Sequence, residues 1–250
     1  MKNSPIVLLT DFGTSDPYVG IMKGVILSRA PKATIVDLCH EAAPQDVRMA
    51  AFQLLVSAPY FPDKTVFCCV VDPGVGSSRR AVWAKTKRHQ FLAPDNGLLS
   101  WLPEPVVEWR TIEAEKLRLH PVSGTFHGRD VFAPAAAALA SGLSAAKLGP
   151  KILDPKRIPF PSAAKTRGEI LCVDHFGNAI TNLRAGDVLP GTELRFRTEK
   201  IGPIGKHYAE RPVGQPMALA GSSGFVELAV RDGSFADRFG VRIGETVESA

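Results

Sequence analysis

Five short segments combine glycine with charged, imidazole or amide side chains; four of them follow an apolar run, and TFHGRD leads into an alanine-rich one. They are TDFGTSD at residues 10–16, DPGVGSSRR at 72–80, PDNG at 94–97, TFHGRD at 125–130 and VDHFGN at 173–178. Side chains of these types accept hydrogen bonds from hydroxyl groups, carry a fixed charge or take up a proton near neutral pH. The segments therefore predict a polar ligand site, although an Asp before Gly is also typical of a turn or helix cap, and His127 of a structural histidine.

Alternating strand and helix patterns must position these segments in the first part of the chain. Predicted strands are PIVLLT, ATIVDL, TVFCCVV, AVWAKTK, QFLAP and VVEWR, and predicted helices are Val19–Arg29, Val47–Tyr60 and Val131–Ser141. TVFCCVV is almost wholly apolar, as expected for a parallel strand covered by helices on both faces. We predict a layered α/β domain with a mainly parallel sheet, in which ligands bind beyond the carboxyl ends of the strands.

A change in pattern divides the chain after about residue 150. Residues 148–167 contain four prolines and no apolar periodicity, which is typical of an extended linker. The later runs GEILCVD, NAITNL, ELRFR, MALAG and FVELAV have strand length and no helical pattern. We therefore predict an α/β domain at 1–150, a Pro-rich linker at 151–167 and a smaller, mainly β domain at 168–250.

Composition and charge exclude several classes of protein. Hydrophobic residues make up 45% and charged residues 22%, which is typical of a folded globular chain. The 30 basic and 25 acidic residues are scattered, so no nucleic-acid partner is expected. The longest uncharged stretch, 131–146, is shorter than the ~20 apolar residues of a bilayer span, so no membrane association is expected. Because residues 1–13 lack a signal-peptide pattern, we expect a cytoplasmic location.

Other motifs that would define a cofactor site are missing from the sequence. There is no phosphate-binding P-loop, and GVGSSR lacks the third glycine of the dinucleotide fingerprint. Cys39, Cys68, Cys69 and Cys172 have no metal-binding spacing, so buried thiols are expected, with Cys68 and Cys69 on opposite faces of one strand.

Seven segments together resemble the S-adenosyl-L-methionine (SAM) hydroxide adenosyltransferases, or adenosine-forming SAM hydrolases, which are related to SAM-dependent fluorinases and chlorinases. These are LLTDFGTSDPYVGIMKGVI, IVDLCHEAAPQDV, VVDPGVGSSRRAV, LAPDNGLL, TFHGRDVFAPAAA, VDHFGNAITNL and GSSGFVELAV. The resemblance implies an α/β domain followed by a smaller β domain, and a homotrimer with sites at subunit interfaces. It implies SAM as substrate, adenosine and L-methionine as products, and neither a cofactor nor a metal ion.

The same resemblance assigns the activation of water to Asp72, Arg79 and His127. Water or hydroxide attacks C5′ of the ribose and methionine leaves as a neutral thioether, so the demand for proton transfer falls on the nucleophile. Arg79 cannot act as a base and would support the hydroxide, with Arg80 as the alternative for this role. The ordinary pKa of histidine favours His127 as the base and Asp72 as the group that positions water, although the opposite assignment stays open.

Substrate-binding residues follow from the same resemblance. Asp11 would accept the two vicinal ribose hydroxyls, and Asp16 and Asp174 would bind the methionine ammonium group. Asn178 would bind the edge of adenine, with Phe176 close by as a stacking surface. Ser222 would bind the methionine carboxylate.

Departures from the halogenating relatives favour hydrolysis. By this resemblance those enzymes have Tyr at the position of Asp72 and an additional loop between AVWAKTK and QFLAPDNG, and a negative Asp72 would repel a halide. Gln45 and Ser223 replace a Trp and an Arg, so the contacts with adenine and with the methionine carboxylate are expected to differ. A halogenase, a non-catalytic SAM or adenosine sensor, and a metal hydrolase using Asp11, Asp72, Asp95 and His127 stay as alternatives.

Overall fold

The computed structural model describes residues 4–189 and 191–249. The chain divides into two compact units, Met1–Pro159 and Phe160–Ala250. The boundary lies within the segment that was predicted to be a linker. Part of that segment is bound to the first unit, since the backbone N–H of Lys156 donates to Asp95 and that of Ile158 donates to Ser100.

The first unit contains a six-stranded sheet with helices on both faces. Its strands are β1 Ile6–Thr10, β2 Ile35–Cys39, β3 Val66–Val70, β4 Ala81–Lys85, β5 Gln90–Pro94 and β6 Glu108–Thr111. The order is β2-β1-β3-β5-β4-β6, in which β1 pairs in parallel with β2 and β3, and β3 with β5, whereas β4 is antiparallel to β5 and β6. The predicted layered α/β architecture with a mainly parallel sheet is confirmed.

Two apolar layers form because successive side chains of each strand point to opposite faces. Helices α1 Tyr18–Arg29 and α3 Ala133–Ala140 cover one face, where Met22 packs with Cys68. Helix α2 Val47–Ser57 covers the other face, where Leu54 packs with Cys69. The expected separation of the two neighbouring cysteines is therefore confirmed.

Helix α3 is shorter than the predicted range Val131–Ser141 because a π-helical turn at Gly128–Phe132 precedes it. Pro134 lies in the first turn of α3 and has no N–H to donate; the carbonyl of Asp130, four residues before it, accepts from the backbone N–H of Leu119 instead. Within the described residues, none of the helices is long and apolar enough to cross a lipid bilayer.

The second unit closes seven strands into a barrel. They are β7 Arg167–Val173, β8 Ala179–Arg184, β9 Glu193–Phe196, β10 Glu199–Gly205, β11 Pro216–Ala220, β12 Phe225–Val230 and β13 Thr246–Ser249, and the short helix α4 spans Phe235–Phe239. The order is β10-β11-β12-β8-β7-β13-β9, with only β10 and β11 parallel among the described pairings. The mainly β character of this unit is confirmed, and α4 is a short helix of five residues within it.

Candidate active site

A tight loop after β3 returns Arg79 onto Asp72. The Ser77 hydroxyl donates to the carbonyl of Gly74 (2.6 Å) and accepts from the backbone N–H of Arg79 (3.2 Å). Arg79 Nε then lies 3.0 Å from Asp72 Oδ1, and its Nη2 donates to Asp72 Oδ2. The two side chains are only 6% and 5% exposed, so this is a buried bidentate ion pair.

His127 completes the cluster from the turn that precedes α3. Its Nδ1 lies 2.7 Å from Arg79 Nη2. Close packing of two loops makes this contact possible, because a Cβ at Gly76 would lie only 2.3 Å from the carbonyl oxygen of Gly124. The buried Asp130 carboxylate also accepts from the backbone N–H of Ser123 (2.8 Å) and so fixes the start of this segment. The structure thus brings the three predicted water-activating residues into contact.

The direction of the hydrogen bond determines the form of the imidazole. Arg79 can only donate, so Nδ1 of His127 accepts and the neutral ring carries its hydrogen on Nε2. Burial, followed by the positive charge of Arg79, lowers the pKa of His127 below its ordinary value. His127 therefore stays neutral to a lower pH than a solvated histidine, and its only lone pair is already used.

A cavity of about 320 Å³ opens beside this cluster. Its lining includes Asp11, Asp72 and His127, together with apolar surface from Phe12 and Phe126. Asp11 and Asp72 converge here because β1 and β3 are parallel neighbours. The site therefore lies beyond the carboxyl ends of these strands, where ligands bind in open α/β sheets.

The Asp11 carboxylate is oriented by the loop after β2. The backbone N–H of Gln45 donates to Asp11 Oδ2 (2.8 Å), and Gln45 adopts a positive φ of 66° to make this contact. The Asp11 carboxylate keeps further acceptor capacity beside the cavity that it lines. Asp16, by contrast, lies exposed in the loop between β1 and α1. The structure therefore places Asp11, but not Asp16, at the cavity.

Arg80 points to a different set of partners from those of Arg79. Its Nε lies 2.8 Å from Asp95 Oδ2 and its Nη1 lies 2.9 Å from Asp154. These contacts hold residues 154–156 against β5, which gives Arg80 and Asp95 a structural role. Throughout the described residues there is no group of three or more His, Cys, Asp or Glu side chains that could hold a metal ion. Asp95 is held by Arg80 and by the backbone N–H of Lys156, and it is not among the residues that line the cavity with Asp11, Asp72 and His127.

The remaining predicted residues lie in the second unit, in the loop between β7 and β8 and in a turn between β11 and β12. Asp174 Oδ1 accepts from the backbone N–H of Phe176 (2.9 Å) and of Asn178 (2.8 Å). This carboxylate therefore organises the loop. Phe176 is 74% exposed, and it lines a cavity of about 510 Å³ with Asn178 and Tyr208. Ser222 is exposed in the turn 221–224.

Tyr208 was not identified from the sequence. The side-chain N–H₂ group of Asn178 donates to Asp174 (2.9 Å) and to the hydroxyl of Tyr208 (3.3 Å), which in turn donates to Glu227 (2.7 Å). Burial and the neighbouring Glu227 raise the pKa of Tyr208. Both N–H groups of the Asn178 amide are thus engaged, and its oxygen remains to accept a hydrogen bond. No spacing in the sequence connects Tyr208 with a residue 30 positions away.

Comparison with known proteins defines the class to which this fold and site belong. The protein-family model of the SAM hydroxide adenosyltransferase N-terminal domain matches residues 6–149, and the family model of the C-terminal domain matches residues 168–248. The chain belongs to the SAM hydroxide adenosyltransferase family.

Individual relatives agree with this assignment. The chain is 42% identical to a (R)-S-adenosyl-L-methionine hydrolase of Thermus thermophilus, with 97% of this chain and 98% of the relative covered. A fluorinase of Actinopolyspora mzabensis is 26% identical, with 97% and 95% covered. An uncharacterized conserved protein from Thermotoga maritima has a similar structure, with a TM-score of 0.92, 36% identity and coverage of 98% and 100%.

Proposed function

We propose that this protein is an enzyme that hydrolyses SAM to adenosine and L-methionine. The oxygen of water forms a bond with C5′ of the ribose, the C5′–S bond breaks, and its electron pair neutralises the sulfonium. One proton is released in each turnover. The observation that carries the proposal is the buried Asp72–Arg79–His127 cluster beside the cavity that Asp11 also lines, in a chain of this family. The 42% identity to a protein named as a SAM hydrolase supports the same reaction.

The hydrogen bonds in the cluster support a different choice of base from the one favoured by ordinary pKa values. The lone pair of His127 accepts from Arg79, whereas each oxygen of Asp72 keeps a lone pair beyond the one that accepts from Arg79. Asp72 therefore accepts the proton, and His127 donates through Nε2–H to the water oxygen. A carboxylate suffices because the attacking oxygen becomes strongly acidic as its bond to carbon forms. Arg79 binds Asp72 through two hydrogen bonds and stabilises negative charge on the nucleophile.

Contacts with the substrate follow the chemistry of each group. Asp11 accepts the ribose hydroxyls, because the Gln45 N–H occupies only part of its acceptor capacity. The Asn178 side-chain oxygen accepts from the adenine amine, with Phe176 as the stacking surface. Asp16 and Asp174 bind the methionine ammonium group and Ser222 binds its carboxylate, as the family resemblance implies.

Hydrolysis is favoured over halogenation by the charge at the cluster. A halide at the position of the nucleophile would lie against the Asp72 carboxylate, and like charges in a partly buried site repel strongly. The greater identity to a hydrolase than to a fluorinase, 42% against 26%, points in the same direction.

The proposed enzyme is a cytoplasmic homotrimer with its sites at subunit interfaces, and it uses neither a cofactor nor a nucleic-acid partner. Exposed apolar residues on the first unit support self-association. They are Tyr18, Ile21 and Leu27 on α1 and Val36 on the edge strand β2. A helix that is apolar on its outer face and an uncovered sheet edge are both typical of surfaces that pack against another chain.

Direct incubation tests the activity. Purified protein with SAM should release adenosine and methionine in equal amounts, measured by chromatography, with one proton per turnover measured by a pH indicator. Added chloride or fluoride should yield no 5′-halogenated adenosine, and a chelator should leave the rate unchanged. Failure of the wild-type protein to form adenosine would refute the proposal, and a halogenated product would identify it as a halogenase.

A further inference from the structure

The segment IVDLCHEAAPQDV contributes to the family resemblance, yet most of its polar residues have no role in the proposed reaction. In the structure, the loop after β2 holds the loop that carries Asp11. The backbone N–H of Gly13 donates to the carbonyl of His40 (2.8 Å), and the Thr14 hydroxyl donates to Glu41 (2.8 Å). Together with the bond from Gln45 to Asp11, these contacts make one loop the support of the other.

A buried chain of hydrogen bonds anchors the first residue of that supported loop. His40 Nδ1 lies 2.8 Å from the hydroxyl of Thr10, which is fully buried, and His40 Nε2 lies 3.0 Å from Asp37 Oδ1. Thr10 Oγ1 also accepts from the backbone N–H of Phe12 (3.3 Å). The Thr10 hydroxyl hydrogen is therefore free to donate to His40, and His40 Nε2–H donates to Asp37.

Hydrogen bonds keep the Asp37 carboxylate, at the outer end of this series of side chains, ionised. Burial acts to raise the pKa of Asp37, but hydrogen bonds from His40 and Lys23 lower it below the ordinary value of an aspartate. An ionised Asp37 fixes the tautomer and the ring orientation of His40, which then fixes the rotamer of Thr10. The result is one defined position for the N–H of Phe12, directly after Asp11.

A buried network of polar side chains contributes little to folding stability compared with apolar side chains of similar volume, which fill the same space and have no donors or acceptors to satisfy. What it supplies is a unique geometry. We infer that His40 is a positioning residue for ribose recognition, which acts through Thr10 to hold the Asp11 carboxylate in the geometry that accepts the ribose hydroxyls. This inference rests on the proposed function, in which Asp11 is the ribose-binding residue.

The test compares SAM with its 2′-deoxy analogue, which lacks one of the two hydroxyls. The readout is the ratio of kcat/KM for the two substrates, because loss of folded protein lowers both values equally and leaves the ratio unchanged. Wild-type enzyme should prefer SAM by roughly 10–100-fold, as expected for one hydrogen bond to a charged group. Thr10→Val keeps the volume of Thr10 but removes its hydroxyl, and should reduce the preference to about threefold or less. His40→Leu should have the same effect.

Thr10→Ser is the matched control, since it restores the hydroxyl but removes a buried methyl group. It should lower thermal stability and yet keep the wild-type preference for SAM. Asp11→Asn tests the proposed function separately, and should abolish the preference. If Asp11→Asn abolishes it while Thr10→Val and His40→Leu retain it, the role of His40 is refuted and that of Asp11 stands. If Asp11→Asn itself retains the preference, the ribose assignment fails and the role of His40 fails with it.

Discussion

Replacement of Asp72 by Asn tests the assignment of this residue as the proton acceptor. Asn has the shape of Asp but no charge, and its amide hydrogens would face a guanidinium that can only donate. Asp72→Asn therefore removes the proton acceptor and leaves the Arg79 charge without a counter-ion. Loss of a general base typically lowers a rate by about 10²–10⁴-fold, and we expect kcat to fall within this range.

The stability cost follows from burial of the pair. Both side chains are at most 6% exposed, and removal of one partner of a buried ion pair typically costs about 3–5 kcal/mol. For a chain of this size, that corresponds to a decrease in Tm of roughly 6–20 °C. Activity should accordingly be measured by adenosine release well below the unfolding transition of the least stable variant, and Tm by differential scanning calorimetry.

Asp95→Asn is the matched control. It also breaks an Asp–Arg pair, in which the Asp95 side chain is 3% exposed and that of Arg80 is 34% exposed, and this pair lies outside the proposed active-site cavity. Asp95→Asn should lower Tm and leave kcat within about twofold of the wild-type value, since the Asp72–Arg79–His127 contacts are unchanged. If Asp72→Asn keeps kcat near the wild-type value, or if Asp95→Asn loses as much activity, the assignment of Asp72 as proton acceptor is refuted.

Three further outcomes are expected. First, kcat/KM should decrease on acidification with a midpoint below pH 6.5, because burial and then the charge of Arg79 lower the pKa of His127. Protonation of His127 would remove the acceptor that faces Arg79. In His127→Asn the side-chain oxygen can still accept, so the pH profile of this variant should lack the decrease. Second, burial and then the charge of Arg88 lower the pKa of His89, so the unfolded chain binds more protons below about pH 6.5 and the free energy of unfolding should decrease as the pH falls from that value. His89→Leu should make this decrease shallower in urea titrations, and an identical slope would contradict the reasoning. Third, Gly76→Ala should lower both Tm and kcat, because its Cβ would lie 2.3 Å from the carbonyl oxygen of Gly124 and φ is +78°; wild-type values for both would show that the loop contact is unimportant.

The order of elements in the first unit could be predicted because each element has a strong local pattern. QFLAP coincides with β5, and helix α1 begins one residue before the predicted start. In the second unit β10 was missed, since it contains Gly202 at a positive φ and Pro203, both of which weaken a strand pattern. Closure of the barrel depends on pairing between strands distant in sequence, which no local pattern encodes.

The candidate site shows the same division between local and distant information. The prediction that Asp72, Arg79 and His127 act together came from the family resemblance, because no spacing in the sequence shows that they are close in space. The residues themselves did not distinguish Arg79 from its neighbour Arg80. The structure distinguishes them by their hydrogen bonds, to Asp72 in one case and to Asp95 in the other. The direction of the bond between Arg79 and His127 could not be predicted either, because it requires the coordinates of both side chains.

Separation of Cys68 and Cys69 into different apolar layers has a practical consequence for spectroscopy. Burial raises the pKa of Cys68 to about 12 and that of Cys69 well above its ordinary value, so neither forms the thiolate with which maleimides react. Cys172 is also buried, whereas Cys39 is partly accessible and lies next to His40. A fluorophore attached to the native chain should therefore label this one position and report on order in the adjoining loop, without mutation of any cysteine.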